Sequence, residues 1–417
     1  MAGNSLRRVV VTGIGAVTPL GIGTKLSWDN LLACKSGIEF IDKFDLSRCE
    51  SKIAGVIKDF SPELYMNPSE VKKMDKFIHF GLAAATEAIQ DAGIDKLSEE
   101  ERLNIGVLTG SGIGGLKTIE EMSIDLKEKG RVNPFFIPST LINLLSGHIS
   151  IKYGFTGPNH SVVTACATGT HAIGDASRMI KYGDADIVIA GGAEAAVTPL
   201  GMAGFYACRA LSTHFNNSPT KASRPWDRDR DGFVIAEGAG MVVLEEYEHA
   251  LKRGAKIYGE VIGYGMSGDA NHITRPHPDG LGAIRAMEKS IKDAQIDKYK
   301  IDYINAHGTS TPAGDEVELL AVQKLFDGNL QKMHMSSTKS SIGHMLGAAG
   351  AVEVIFSLLA MNNSVAPATL NLENPIDSFD IKIDLVANKP KEKNIQYCLS
   401  NSFGFGGTNA SIILKAL

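Results

Sequence analysis

The 417-residue chain contains no run of 18 or more uncharged apolar residues, so nothing in it reads as a membrane-spanning segment. The nearest candidate, residues 345–361, is interrupted by small residues and carries Glu353, which marks a buried helix instead. A leader with a long apolar core is missing too: Met-Ala-Gly-Asn-Ser-Leu-Arg-Arg passes directly into Val9-Val10-Val11. Cysteine is scarce. Cys34, Cys49, Cys166, Cys208 and Cys398 are odd in number, widely spaced and without a CxxC pair. That excludes a disulfide scaffold and points to reduced thiols in a cytoplasmic setting. Neither an H-E-x-x-H motif nor a paired Cys/His spacing is present, so no metal and no cofactor are expected. A formal net charge of -5 gives no reason to expect a nucleic-acid partner. No Pro/Ser-rich linker divides the chain, yet its length exceeds what one core usually organises. Two core-forming halves sharing an interface are the expectation.

What is there alternates. Short apolar runs at 8–12, 105–109, 161–165, 187–190, 240–244, 301–306 and 410–414 read as strands, with helical patterns between them. This predicts an α/β fold with mostly parallel strands. A short echo, Ala88-Ile89-Gln90-Asp91-Ala92-Gly93-Ile94-Asp95-Lys96 against Ser290-Ile291-Lys292-Asp293-Ala294-Gln295-Ile296-Asp297-Lys298, recurs about half a chain length later. Each copy ends a helical pattern and precedes a strand, as duplication of one α/β unit would produce.

The most informative stretch runs from Val162 through Thr164-Ala165-Cys166-Ala167-Thr168-Gly169. A β-branched run leads into Cys166, and Ala172, Ile173, Ala176, Met179 and Ile180 then recur at helical spacing as far as a capping Gly183. Cys166 therefore sits where a strand hands over to a helix. The unpaired N–H groups and positive dipole end there are expected to lower its pKa, and its small neighbours leave room for a carbonyl. A buried structural cysteine is the competing reading of the same position.

Two histidines lie at comparable places. His307 ends the run Tyr303-Ile304-Asn305-Ala306 and enters a Gly/Thr/Ser loop. Lys339 and His344 fall on a polar loop ahead of an apolar helix. Carboxyl ends of strands are where α/β folds gather their sites, although a single histidine there is more often a hydrogen-bonded structural residue; two, each framed by Gly and Thr/Ser loops, tilt the balance toward function. Near the end, Gly404-Phe405-Gly406-Gly407 allows backbone N–H groups to approach a ligand, as an oxyanion hole or a phosphate requires.

Two motifs compete for attention. Gly110-Ser111-Gly112-Ile113-Gly114-Gly115 fits G-x-G-x-x-G, but a charged helix over 120–129 stands where the ribose-binding acid belongs. Asp227-Arg228-Asp229-Arg230-Asp231-Gly232 opens like a calcium loop, but Gly238 replaces its closing glutamate. A salt-bridged surface or subunit-contact loop is the reading preferred for it.

Taken together, Thr164-Ala165-Cys166, the Asn305-Ala306-His307-Gly308-Thr309 run, Lys339 with Gly343-His344, and Gly404-Phe405-Gly406-Gly407-Thr408-Asn409 resemble the β-ketoacyl-[acyl-carrier-protein] synthases. The type II synthases of bacterial fatty-acid synthesis are the nearest in pattern. The likeness runs from Val9 to Leu414 with the motifs in order. It implies a thiolase-like fold of two similar α/β halves in a layered αβαβα core, residues 1–255 carrying the cysteine and 256–417 the histidines and glycine loop. It further implies a decarboxylative condensation. Cys166 would hold the acyl chain as a thioester, and its N–H and that of Phe405 would form the oxyanion hole. His307 and His344 would stabilise the enolate of decarboxylated malonyl-carrier protein, and Lys339 would organise the network around them. Ile113, Phe205, Thr309, Thr311 and Phe403 would bind substrate, with Phe405 gating the pocket. The implied partner is an acidic acyl-carrier protein met by Lys72, Lys73 and Arg209, and the implied assembly is a homodimer.

Relatives of other chemistry fit less well. A thiolase would carry a second cysteine in the last glycine loop, and initiating or chalcone-type synthases have asparagine where His344 stands. From other classes, a nucleotide-dependent oxidoreductase would use the Gly110 loop, and a non-catalytic partner subunit would never be acylated.

Overall fold

The computed structural model describes residues 6–378 and 380–417. Met1–Ser5, on which part of the leader reading rests, lie outside them. Ten strands of the main sheet run in the order His334–Ser336, Tyr303–Asn305, Tyr397–Gly404, Thr408–Lys415, Gly259–Gly268, Val9–Thr18, Gly238–Glu246, Ile187–Glu194, Ile105–Gly110, Asn159–Val162. Counted by position within its half, each set of five reads third, second, fourth, fifth, first from its outer edge. The two first strands meet in the middle over a short antiparallel contact, Val10 opposite Glu260 and Val11 opposite Gly259. Pairing senses repeat as well. The second strand of each half is parallel to its third and fourth, and the fifth is antiparallel to both the fourth and the first.

The sheet is therefore mixed, and the expectation of mostly parallel strands is corrected. Hairpin-type returns, such as Tyr397–Gly404 to Thr408–Lys415, need only a tight turn, whereas parallel neighbours need a crossover. Strand Gly259–Gly268 was not among the predicted runs. Its Val261-Ile262-Gly263-Tyr264-Gly265 repeats the Val11-Thr12-Gly13-Ile14-Gly15 of the first strand. The reason is packing. A Cβ at Gly15 would stand 2.0 Å from the Ala84 carbonyl oxygen, and one at Gly265 2.1 Å from that of Ala286. Helices Lys76–Ala92 and Leu281–Ala294 thus lie directly on the backbones of the two first strands. The echoed segments of the sequence are the C-terminal ends of these two helices and the few residues just beyond each.

Helices Thr168–Tyr182 and Ala349–Asn363 share one buried cluster with strands of both halves. They form the middle layer, while Lys76–Ala92 and Leu281–Ala294 cover the outer faces, giving the αβαβα stack. Residues 346–363 are apolar enough by length and composition to cross a membrane, yet 83% of that window is buried within the protein.

Candidate active site

The first strand-to-helix elbow is tighter than the sequence predicted. The strand ends at Val162, and Cys166 sits in a 3-10 turn, Ala165–Ala167, that runs into the helix Thr168–Tyr182. Ala165 has φ 49, a left-handed conformation that costs an alanine about 1–2 kcal/mol. The strain is held by Thr168, whose Oγ1 accepts from Thr164 N at 2.9 Å and donates to Ala165 O at 2.8 Å. The second half repeats the device. Leu346 also has φ 49, Leu346–Ala348 is a 3-10 turn, and the helix Ala349–Asn363 follows. Gly347 stands there in the place of Cys166.

The structure brings Cys166, His307, His344, Phe403 and Phe405 to one cavity of about 400 Å³. Thr309, Thr311 and Phe205 line it as well, with exposed Arg209 and Arg275 at its rim. The Thr309 and Thr311 hydroxyls are 3.0 Å apart. The imidazoles of His307 and His344 lie edge to face with centroids 5.5 Å apart. Phe403 packs on His307 and Phe233 on His344, with centroids 5.8 and 5.2 Å apart. Phe405 tips the hairpin between the last two strands, and Gly406 N donates to Ile273 O at 2.7 Å. Ile113 is absent from the cavity wall. It packs instead in the apolar cluster containing Cys166, Leu346 and Phe205. Lys72 and Lys73 do not line the cavity; Lys72 borders a separate groove with His79 and Lys117, and the Lys73 ammonium lies 5.2 Å from the Phe135 ring.

Burial dominates the electrostatics. It pushes the Cys166 thiol up to about 11, against the Lys339 charge and the backbone N–H groups of Phe405 and of Cys166 itself. The expected lowering by the helix N-terminus is thus corrected: desolvation of a thiolate outweighs the dipole. Both histidines are held well below their ordinary value, first by burial and then by Lys339. They are neutral imidazoles, and the Nδ1 atom of each is buried without a partner. The loop around Lys339 is not solvated as its polar sequence suggested; Ser336 to His344 is buried throughout. Lys339 forms a buried ion pair with Glu353 of the middle-layer helix.

Sequence reasoning missed Glu318. Its carboxylate accepts from His307 N at 2.8 Å and Gly308 N at 2.7 Å, and so fixes the turn that carries the histidine. Burial raises Glu318 and Glu353 to about 7 each. The available signal was two acids, Asp315 and Glu318, on the same helical face as Leu319, Val322 and Leu325, all buried. Near them the oxygen atoms Asn305 Oδ1, Glu353 Oε2 and Ser400 Oγ are buried and unpartnered, a set suited to water or a hard cation. No cluster of three or more His, Cys, Asp or Glu poised for a metal occurs among the described residues.

The two competing motifs resolve structurally. The Gly110 loop directs its N–H groups at the carboxylate of Glu194, Gly112 N at 2.7 Å and Ile113 N at 3.1 Å, which occupies the place a pyrophosphate needs. The acidic loop is salt-bridged as expected, Arg224 to Asp227 and Arg230 to Asp315 and Glu316, but it lies only partly at the surface, with Arg228 and Asp229 exposed. Asp227 is fully buried and accepts from Arg224, Asp229 N, Glu373 N and Asn374 N.

Comparison with known proteins agrees with this geometry. Residues 6–250 match the beta-ketoacyl synthase N-terminal domain and residues 258–373 its C-terminal domain. The chain is 54% identical to 3-oxoacyl-[acyl-carrier-protein] synthase 2 of Rhizobium meliloti, over 98% of this chain and 99% of that protein. It is 51% identical to the protein of that name in Vibrio cholerae, over 99% and 100%. Among solved structures, a beta-ketoacyl synthase from Burkholderia phymatum superposes with TM-score 0.91 at 32% identity, covering 99% of this chain and 100% of that one. A type II polyketide ketosynthase in complex with its acyl-carrier protein gives 0.90 at 32% identity, with the same coverage. With a strained cysteine elbow, paired imidazoles and a glycine hairpin in one cavity, and with relatives matching it end to end, the chain belongs to the β-ketoacyl synthase family.

Proposed function

We propose that the protein elongates fatty acyl chains by decarboxylative condensation on acyl-carrier protein, as a 3-oxoacyl-[acyl-carrier-protein] synthase of type II. The observation that carries this is the meeting of a thiol, two neutral imidazoles and two sulfur-directed N–H groups in one cavity. The Cys166 sulfur attacks the carbonyl of an acyl-carrier thioester; the new C–S bond forms, the carrier sulfur leaves, and the thiol proton goes to it. The N–H groups of Cys166 and Phe405 stabilise the tetrahedral oxyanion. Malonyl-carrier protein then enters and loses CO2. Its electron pair spreads onto the thioester oxygen, where His307 and His344 donate hydrogen bonds. A neutral imidazole retains an N–H to give, whereas a strong base is unnecessary because decarboxylation makes the carbanion. That carbon attacks the acyl-Cys166 carbonyl, the C–S bond breaks, and the proton consumed overall returns to the sulfur. Capture on Cys166 separates a three-body encounter into two steps.

On the same reading Lys339 holds the network behind the histidines through Glu353, and Ile113 borders the path of an acyl chain beyond the sulfur. Arg209 at the rim, with Lys72 and Lys73, meets the acidic carrier. Residues 1–255 and 256–417 are taken as the two halves. A homodimer is proposed across the outer strand Asn159–Val162, an unpaired sheet edge next to Val163, which is 54% exposed. Five unpaired cysteines suit the cytoplasm. Intact-protein mass spectrometry after incubation with acyl-carrier thioester tests the core of the proposal. An acyl adduct on Cys166 that malonyl-carrier protein discharges to a product two carbons longer is expected. An adduct on another cysteine, or none, overturns it.

A further inference from the structure

Among the buried acids that the condensation chemistry leaves unused, Glu194 lies nearest in the fold to the cysteine elbow's counterpart at Gly347. Glu194 ends the strand Ile187–Glu194, is 0% exposed, and has no cationic partner among the described residues. Four donors converge on it instead. Oε1 accepts from Ser111 Oγ at 2.7 Å and Ile113 N at 3.1 Å; Oε2 accepts from Gly112 N at 2.7 Å and Gly347 N at 3.0 Å. Ser111 Oγ also accepts from Gly114 N at 2.9 Å, closing the turn. The carboxylate thus joins a loop of the first half to the elbow of the second.

What it joins matters because of the neighbours. Ile113 donates its own N–H to Glu194, and Leu346 immediately precedes Gly347. Both side chains belong to the apolar cluster that contains Cys166. Glu194 therefore sets the separation of the two aliphatic residues beside the sulfur. The fit leaves no slack: a Cβ on Gly112 would lie 2.7 Å from Oε2, and one on Gly347 2.8 Å from it. We infer that Glu194 is a positioning residue for acyl-chain selection, its carboxylate holding Ile113 and Leu346 at the spacing that lets a chain pass beyond Cys166. This rests on the proposed acylation of Cys166.

Glutamine at 194 would turn N–H donors toward two of the four N–H or O–H donors it now receives. Each of those would lose its partner, and the turn would shift. A loop so displaced affects the chain beyond the sulfur and leaves the imidazoles where they are. The test compares wild type, Glu194→Gln and Ser111→Ala with butyryl- and dodecanoyl-carrier protein as primers, and measures malonyl-carrier decarboxylation alongside. For Glu194→Gln, kcat/KM is expected to fall about tenfold more for dodecanoyl than for butyryl primer, with decarboxylation unchanged. Ser111→Ala keeps the carboxylate but removes two bonds, the one to Oε1 and the one from Gly114 N, so the same selective loss of about threefold is expected. Equal losses for both primers together with decarboxylation, or no change, overturn the inference. If Glu194→Gln is not recovered folded, Ser111→Ala decides by the same criteria. Absence of any Cys166 adduct in the wild type would instead remove the reading on which the inference rests.

Discussion

Alkylation of Cys166 as a function of pH tests the balance of forces at the nucleophile. Burial lifts the thiol from 9.0 to about 11. That difference amounts to about 2.7 kcal/mol against the thiolate. The helix N-terminus supplies about 0.3–1 kcal/mol in the other direction, so it loses. At pH 7 the thiolate fraction is then about one in ten thousand. The rate of iodoacetamide labelling, read by peptide mass at Cys166, is expected to climb about tenfold per pH unit from pH 7 to about pH 10 without levelling. Lys339 is the largest influence opposing burial, so Lys339→Met should slow labelling at every pH in that range. Cys398, fully buried and pushed up to about 12, serves as the unlabelled internal control. A plateau at or below about pH 8 would refute the reasoning, because it would mean that dipole and N–H groups outweigh desolvation. The mechanistic consequence is that the proton leaves sulfur during attack on the acyl carbonyl rather than beforehand.

Cys166→Gln should abolish condensation yet retain malonyl-carrier decarboxylation, whereas His344→Ala should lower decarboxylation by about a hundredfold or more and leave Cys166 acylation measurable by mass. Arg209→Glu should raise KM for carrier-bound substrates several-fold without changing iodoacetamide labelling of Cys166; unaltered carrier kinetics would remove Arg209 from the docking face. Glu318 folds with its carboxyl raised from 4.5 to about 7, so the native state binds the extra proton and stability falls as pH rises from 4.5 through 7. That loss is up to about 3 kcal/mol, and Glu318→Gln should flatten the slope of urea midpoint against pH across the window.

Much of the plan was legible because it is local. Strands at 105–109, 187–190, 240–244 and 410–414 declare themselves by β-branched runs, and Gly183 caps a helix in the left-handed conformation its sequence suggests. The strand Gly259–Gly268 was overlooked, though its repeat of Val11-Thr12-Gly13-Ile14-Gly15 was available. The glycines make sense only once a helix is seen lying on them. Glu318 could be noticed as an acid on an apolar helical face, but its role, like that of Glu194, was illegible for a related reason. Each acts on backbone N–H groups, and backbone groups leave no trace in a residue pattern.

Sequence alone determined the alphabet of the site: a cysteine after a strand, two histidines on loops, a phenylalanine among glycines, and the order in which they occur. Those depend on neighbours along the chain. Tertiary structure decided what each group is chemically. Two halves with the same strand order close over one cavity, and that enclosure removes water from Cys166, His307 and His344. The thiol rises and the imidazoles stay neutral because the cost of desolvating a charge depends on everything packed around it.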